Sequence, residues 1–174
     1  MKKIVFFETT EREREILQKY PDFLELADFS AEKLSLENVG QYKNYEIVST
    51  FISSQLSKEV LSQLNNLKLI ATRSTGFDHI DLDYCKEKNI LVSSVPSYGT
   101  HTVAEYTFGL LLCLVRKIYT AYHQVRETGS FSLQGLEGEE LFGKTLGVIG
   151  VGRIGSEVIK IAKGFSMKVI AYDK

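Results

Sequence analysis

The stretch from Lys144 to Asp173 constrains the fold more tightly than any other. Thr145 to Ile149 is a short apolar, β-branched run that reads as a buried strand, and Gly150, Gly152 and Gly155 follow it with G-x-G-x-x-G spacing. A helical pattern then leads to a second strand-like run, Lys168-Val-Ile-Ala-Tyr-Asp173. In a strand–helix–strand unit the three glycines act differently. Gly150 permits the tight turn, Gly152 lets a pyrophosphate approach the backbone, and Gly155 lets the helix lie against the strand. The free N–H groups and the dipole at the start of that helix then face the phosphates. Asp173 stands 18 positions beyond Gly155, close to the separation of about 20 at which a carboxylate accepts from the ribose hydroxyls of a dinucleotide. That carboxylate would repel a 2′-phosphate, so the pattern favours NAD over NADP. The alternative, a glycine-rich turn in some other unit with Asp173 as a solvated strand end, is opposed by strand, glycines, helix and acid all falling in order.

A net charge of −1 and a pI near 6.3 leave no field to attract phosphate backbones, which argues against a nucleic-acid partner. The chain is 44% apolar and 25% charged, the balance of a globular protein with a real core. Cys85 and Cys113 lie far apart with no metal-ligand spacing, and read as reduced, buried thiols with no metal site. The start, Met1-Lys-Lys-Ile-Val-Phe-Phe-Glu, has too short an apolar stretch for a signal peptide, which points to a cytoplasmic protein with no membrane partner.

Upstream of the glycines the pattern alternates. Lys3 to Phe7 suits a buried strand, and Thr10 with Glu13 makes a capping box that opens a charged helix over Glu11 to Leu17. Further strands are expected near Phe23 to Phe29, at Glu46 to Phe51, at Leu67 to Thr72 and at Ile90 to Val95. Between them Ser57 caps a helix through Leu64, and Asp81 caps one through Lys88. Strands alternating with helices pair in parallel, so the fold class is α/β, with a flavodoxin-like sheet over residues 1–98. Pro96 ends the last strand. Thr102 and Glu105 then suggest a second capping box, opening a helix to about Arg126 whose centre, Phe108 to Val115, is apolar all round. It is too short to span a bilayer and reads as a helix buried between layers within a connecting segment, 99–143. A partner-binding helix is the alternative, and the two roles can coexist. It is the candidate element for a homodimer. From 144 on, the 30 residues from Thr145 to Lys174 hold one βαβ unit of a Rossmann domain and no more. The apolar sides of Val148, Ile149, Val169 and Ile170 therefore need cover from the helix at Thr102, from another chain, or from further sequence.

Three blocks give the chain a resemblance to the D-isomer-specific 2-hydroxyacid dehydrogenases, and within them to the D-lactate branch. They are Arg73-Ser-Thr-Gly-Phe-Asp-His-Ile-Asp81, Val95-Pro-Ser-Tyr-Gly-Thr-His-Thr-Val-Ala-Glu105 and the passage from Gly138 to Gly155. The resemblance runs from about Leu67 to Lys174 and more loosely over the preceding residues. It implies a substrate domain at 1–98 and the start of an NAD-binding domain at 144–174. Ser74, Thr75 and Gly76 sit where a parallel strand ends, the usual place for ligands in open α/β sheets, and a glycine there exposes successive N–H groups as a nest for a carboxylate. By resemblance Thr75 and Gly76 hold the carboxylate of a 2-oxo acid, and Tyr98 closes the substrate pocket unless it merely packs at a hinge. Val103 lies against the nicotinamide ring unless it is a core valine. Arg153 covers the pyrophosphate unless it is simply solvated, and Ile154 completes the cofactor set with Gly150, Gly152, Gly155 and Asp173.

The family's mechanism divides the labour among an arginine that polarises the 2-oxo acid, a histidine that passes the proton and a glutamate that raises the histidine's pKa, with NADH as hydride donor. In the family all three lie well beyond the acid that ends the second strand of the cofactor domain. None of the 174 residues takes those roles: His79, His101 and His123 are expected to be surface or satisfied histidines. The resemblance thus implies the amino-terminal portion of an NAD-dependent oxidoreductase that is inactive alone. The alternative is an NAD(H)-sensing regulatory protein on the same fold.

Overall fold

The computed structural model describes residues 3–174, so the reading of Met1 and Lys2 lies outside the described residues. The chain forms two compact units, one ending at Pro96 and the other running from Ser97 to Lys174.

In the first unit β1 (Ile4–Phe6), β2 (Ala27–Phe29), β3 (Ile47–Thr50), β4 (Leu69–Thr72) and β5 (Leu91–Ser93) form one sheet in the order β2-β1-β3-β4-β5. Every pairing is parallel, which makes the unit flavodoxin-like. The register places Val5 beside Val48 and Val48 beside Ile70, all at most 1% exposed. Phe7, Leu34, Leu56, Val60, Leu61 and Cys85 close over them, drawing on α3 (Lys58–Leu61) and α4 (Leu82–Glu87). On the other face Phe6 meets Phe23 edge-on at 5.6 Å and stacks on Phe29 at 5.3 Å.

The capping box at Thr10 forms as the sequence suggests. Thr10 accepts from the Glu13 amide, Glu13 accepts from the Thr10 amide at 2.7 Å, and α1 runs Glu11–Leu17. Other local expectations give way. Phe23 and Leu24 belong to α2 (Pro21–Leu24), because Pro21 at the first helical position presets the turn, and only Ala27–Phe29 is strand. Ser57 precedes α3 without capping it, since its hydroxyl donates to Glu59 instead. Asp81 does cap α4, accepting from the Tyr84 amide at 2.9 Å.

In the second unit the helix expected from Thr102 to Arg126 is two helices, α5 (Thr100–Val115) and α6 (Ile118–Thr128), parted at Lys117 with φ 56°. Nor is there a capping box at Thr102: the helix starts two residues earlier behind Gly99, leaving Thr102 inside its first turn. The apolar centre of α5 is only half buried. Ala104 and Phe108 face inward with Leu111, Leu112 and Val115, whereas Leu110 and Leu114 are exposed, and so is Cys113, against expectation. The connection after α6 is fastened near its end, where the Glu139 amide donates to the Val115 carbonyl at 2.8 Å. Gly138 passes so close to that carbonyl that a Cβ would collide with it.

β6 (Thr145–Ile149), α7 (Arg153–Gly164) and β7 (Lys168–Tyr172) make the predicted βαβ unit, with β6 and β7 parallel. Leu146 and Val169 turn toward α7 and α5, where Val158, Ile161, Ala162 and Phe108 meet them, and Val148 is buried beside Gly155 of α7. Ile149, Ile170 and Tyr172 turn the other way and are 89%, 68% and 65% exposed. One face of this two-stranded sheet is thus packed by α7 and α5, and the other is bare.

Candidate functional site

Two groups of sequence-predicted residues occupy carboxyl ends of parallel strands, one in each unit, and each group has its own geometry.

In the first unit β4 leads into Arg73–Asp81. Arg73 is anchored rather than free. Its guanidinium donates to Glu13 at 3.0 Å, to the Ser49 hydroxyl at 3.1 Å and to the Phe7 carbonyl at 2.8 Å, tying the root of the loop to β1, β3 and α1. Ser74 is 3% exposed and its hydroxyl is engaged inside the loop, hydrogen-bonded to Thr72 and donating to the Gly76 carbonyl, both at 2.6 Å. It shapes the loop rather than offering a hydroxyl to a ligand. Thr75 donates its hydroxyl to the Val95 carbonyl at 2.9 Å, while the Ser74 carbonyl accepts from the Val95 amide, also at 2.9 Å. Gly76 is exposed and does not take the left-handed conformation, so the loop lacks the alternating backbone of a nest. What it presents is an open turn at residues 75–77. His79 lies 3.4 Å from the Thr72 hydroxyl, an interior contact.

A neighbouring loop is held by a carboxylate that no sequence motif singles out. Glu8, in the left-handed region at φ 55°, accepts from the amides of Phe51, Ser53 and Ser54 and from the Ser54 hydroxyl. Burial pushes its carboxyl up, but the Ser54 hydroxyl and those amides together outweigh it and hold the group below the ordinary carboxylate range. The loop after β3 is thereby fixed at the same sheet edge as the loop after β4.

In the second unit the glycine loop has the geometry its spacing implies. Gly150 has φ +91°, a conformation costly for any residue with a side chain, and its amide donates to the Tyr172 carbonyl at 2.8 Å. Gly155 lies against Gly150: an added Cβ would fall inside the radius of the Gly150 carbonyl oxygen, so helix and strand reach this separation only with glycine here. Gly152 is the opposite case, with open space where its Cβ would be, as a ligand approaching the main chain requires. Gly152 is also the N-cap of α7 and offers no side chain to cap it. The first intrahelical bond runs from Ser156 to Gly152, so the amides of Arg153, Ile154 and Gly155 point outward from the helix start without intrahelical partners. This is a cradle that fits a diphosphate.

The register puts Tyr172 beside Ile149, which sets Asp173 next to the glycine loop at the same strand ends. Its carboxylate is exposed and accepts from the Lys174 amide at 3.1 Å. A cleft of about 700 Å³ opens at the start of α7, bordered by Arg153, Ser156 and Glu157 and by Ser97, Thr100 and His101. Val103 on α5 and Tyr98 before it are 44% and 62% exposed, accessible to a ligand and in no core. Among the described residues no cluster of three metal-ligating side chains occurs, and no helix is long and apolar enough to cross a membrane.

The family model for the D-isomer specific 2-hydroxyacid dehydrogenase catalytic domain matches residues 4–171. The chain is 45% identical over 104 residues to the D-lactate dehydrogenase of Escherichia coli K12, a match covering 60% of this chain and 31% of that protein. It is 47% identical over 104 residues to a 2-hydroxyacid dehydrogenase homolog of Haemophilus influenzae, with the same coverage of 60% and 31%. Among solved structures it superposes on the D-lactate dehydrogenase of Aquifex aeolicus, determined with NAD and lactic acid, with a TM-score of 0.89 and 38% identity over 98% of this chain and 51% of that one. The matches thus span about a third of the length of those curated relatives and about half of the solved one. With a family model matched along nearly all of its length and a shared fold, the chain belongs to the D-isomer specific 2-hydroxyacid dehydrogenase family.

Proposed function

We propose that these residues are the amino-terminal part of an NAD-dependent D-2-hydroxyacid dehydrogenase of the lactate type, which interconverts a small 2-oxo acid and its D-2-hydroxy acid. The observation that carries this reading is the uncapped start of α7 at Gly152, with open space at that glycine and Asp173 alongside. The amides of Arg153, Ile154 and Gly155 would hold the diphosphate, and Gly150 would set the turn that brings them to it. Arg153 would supply positive charge above, and Asp173 would accept from the ribose hydroxyls. NAD, when bound, supplies the hydride acceptor. Val103 would border the nicotinamide. In the first unit the amides of the exposed residues Thr75 and Gly76 would bind the substrate carboxylate, with Ser74 holding the loop in shape.

None of the 174 residues is assigned the polarising arginine, the proton-transferring histidine or its glutamate. The chain alone is therefore expected to bind nucleotide and to turn over nothing. The exposed apolar residues Tyr106, Leu110 and Leu114 on α5 and Tyr119 and Tyr122 on α6 support a homodimer through these helices. Light scattering that gave a monomer at micromolar concentration would remove the dimer.

The deciding experiment is calorimetric titration of the 174-residue chain with NAD⁺ and with NADP⁺. We expect NAD⁺ to bind at least about 10-fold more tightly, a difference of about 1.4 kcal/mol, and Asp173→Ser to narrow the gap. Absence of binding by either nucleotide to folded protein would end the proposal, and pyruvate-dependent oxidation of NADH by the pure chain would end its claim of inactivity.

A further inference from the structure

The cleft at the start of α7 has a second wall within the same unit, and it comes from the first turn of α5. There His101, its side chain 75% exposed, places Nδ1 3.5 Å from Oε2 of Glu157. The Glu157 side chain is only 20% exposed, and its other oxygen, Oε1, is taken by the Lys160 ammonium at 2.5 Å. That hydrogen bond is the main reason the Glu157 carboxyl lies below the ordinary range, with a smaller contribution from His101. Glu157 thus stays ionised on the wall of a cleft whose glycines suit a diphosphate. A fixed carboxylate there repels such a ligand unless its charge is matched. Lys160 matches one oxygen, and His101 faces the other.

We propose that His101 is a further cofactor-binding residue, whose protonated form, held against the Lys160-paired Glu157, adds a second positive charge beside Arg153 to the diphosphate cleft. The inference rests on the dinucleotide reading of the glycine loop and adds a proton to it. The charged groups around the imidazole are Glu157, Lys160 and Arg153 from α7 and Glu105 one turn further along α5. Arg153 opposes the imidazolium, Glu157 favours it, and an arriving diphosphate favours it further. Binding and protonation therefore strengthen one another reciprocally. A ligand that prefers the protonated ring is therefore held more tightly in acid than in alkaline solution.

The test is calorimetry of the 174-residue chain with NAD⁺, whose own charge is constant between about pH 5.5 and about pH 8, the window in which a histidine titrates. Wild type should bind about 5-fold more tightly at the lower pH, and His101→Gln should show less than about 1.5-fold difference between the two. Glu157→Gln should bind about 2-fold more tightly than wild type at the higher pH and depend less on pH. In proton spectra the imidazole resonance that moves in Glu157→Gln should titrate at a higher midpoint when wild type is saturated with NAD⁺. This last measurement decides the matter even if His101→Gln does not fold. Equal affinity at both pH values, a pH slope retained in His101→Gln, or an unmoved midpoint overturns the role of His101 alone. Failure of wild type to bind NAD⁺ at either pH overturns the dinucleotide reading and this inference with it.

Discussion

The two sheets of this chain are built from similar residues and end in different states. In the five-stranded sheet Val5, Val48 and Ile70 are closed over by helices, and even the second face gives Phe6 two aromatic neighbours. In the two-stranded sheet Val148 and Val169 are packed, while Ile149 and Ile170, equally apolar, stand in the open. Parallel strands are normally covered on both sides. The first unit covers one face fully and the other in part, leaving Leu91 70% exposed, whereas the second covers one face only. Self-sufficiency thus stops partway along the chain, and the glycine loop belongs to the unit whose packing is unfinished.

Substitutions measure that difference. Ile70→Ala, in the closed core, should cost about 2–5 kcal/mol in chemical denaturation followed by circular dichroism. A loss under about 1 kcal/mol would mean the five-stranded core is looser than its burial indicates. Gly155→Ala comes next. The new methyl group has no room against the Gly150 carbonyl, so α7 must shift from β6 at a cost of about 1–3 kcal/mol. It should also remove nucleotide binding, and retention of NAD⁺ affinity would show that the close approach is dispensable. A smaller effect concerns acid. Glu8 titrates below the usual range when folded, so the stability it contributes is present above the unfolded value of about 4.3 and is lost as pH falls through the folded one. Glu8→Gln should therefore flatten the acid limb of the stability curve while lowering stability at neutral pH. The smallest change is expected from Ile170→Ala, within about 0.5 kcal/mol in the 174-residue chain. A larger loss there would break the comparison, because it would mean that something covers the bare face in solution.

Much of this was legible in the residues. Parallel pairing followed from alternation, the Thr10 box from its hydroxyl and acid three apart, and the glycine loop from spacing that only one backbone path satisfies. Where the structure departs from these signals, a neighbouring residue overrides them. Phe23 looks like strand until Pro21 is allowed to start a helix, and Thr102 looks like a cap until Gly99 opens the turn earlier. The break at Lys117 carries no glycine or proline to announce it. At the candidate site, the chemistry that was missed is non-local. Glu8 finds its partners some 45 positions away at the amides of residues 51–54, and His101 meets Glu157 only because two helices lie side by side. No spacing rule encodes either pair.

The contact of Gly138 with the end of α5 makes two materials of a segment that looks uniform. From 130 to 136 the chain is slack, with Phe131 and Leu133 largely in water and Gln124 reaching the Ser132 carbonyl. At 138 and 139 it is moored main chain to main chain. Extra residues or a protease nick should be absorbed in the slack part, whereas any side chain at position 138 would displace the entry into β6 and, with it, the aim of the glycine turn a few residues on.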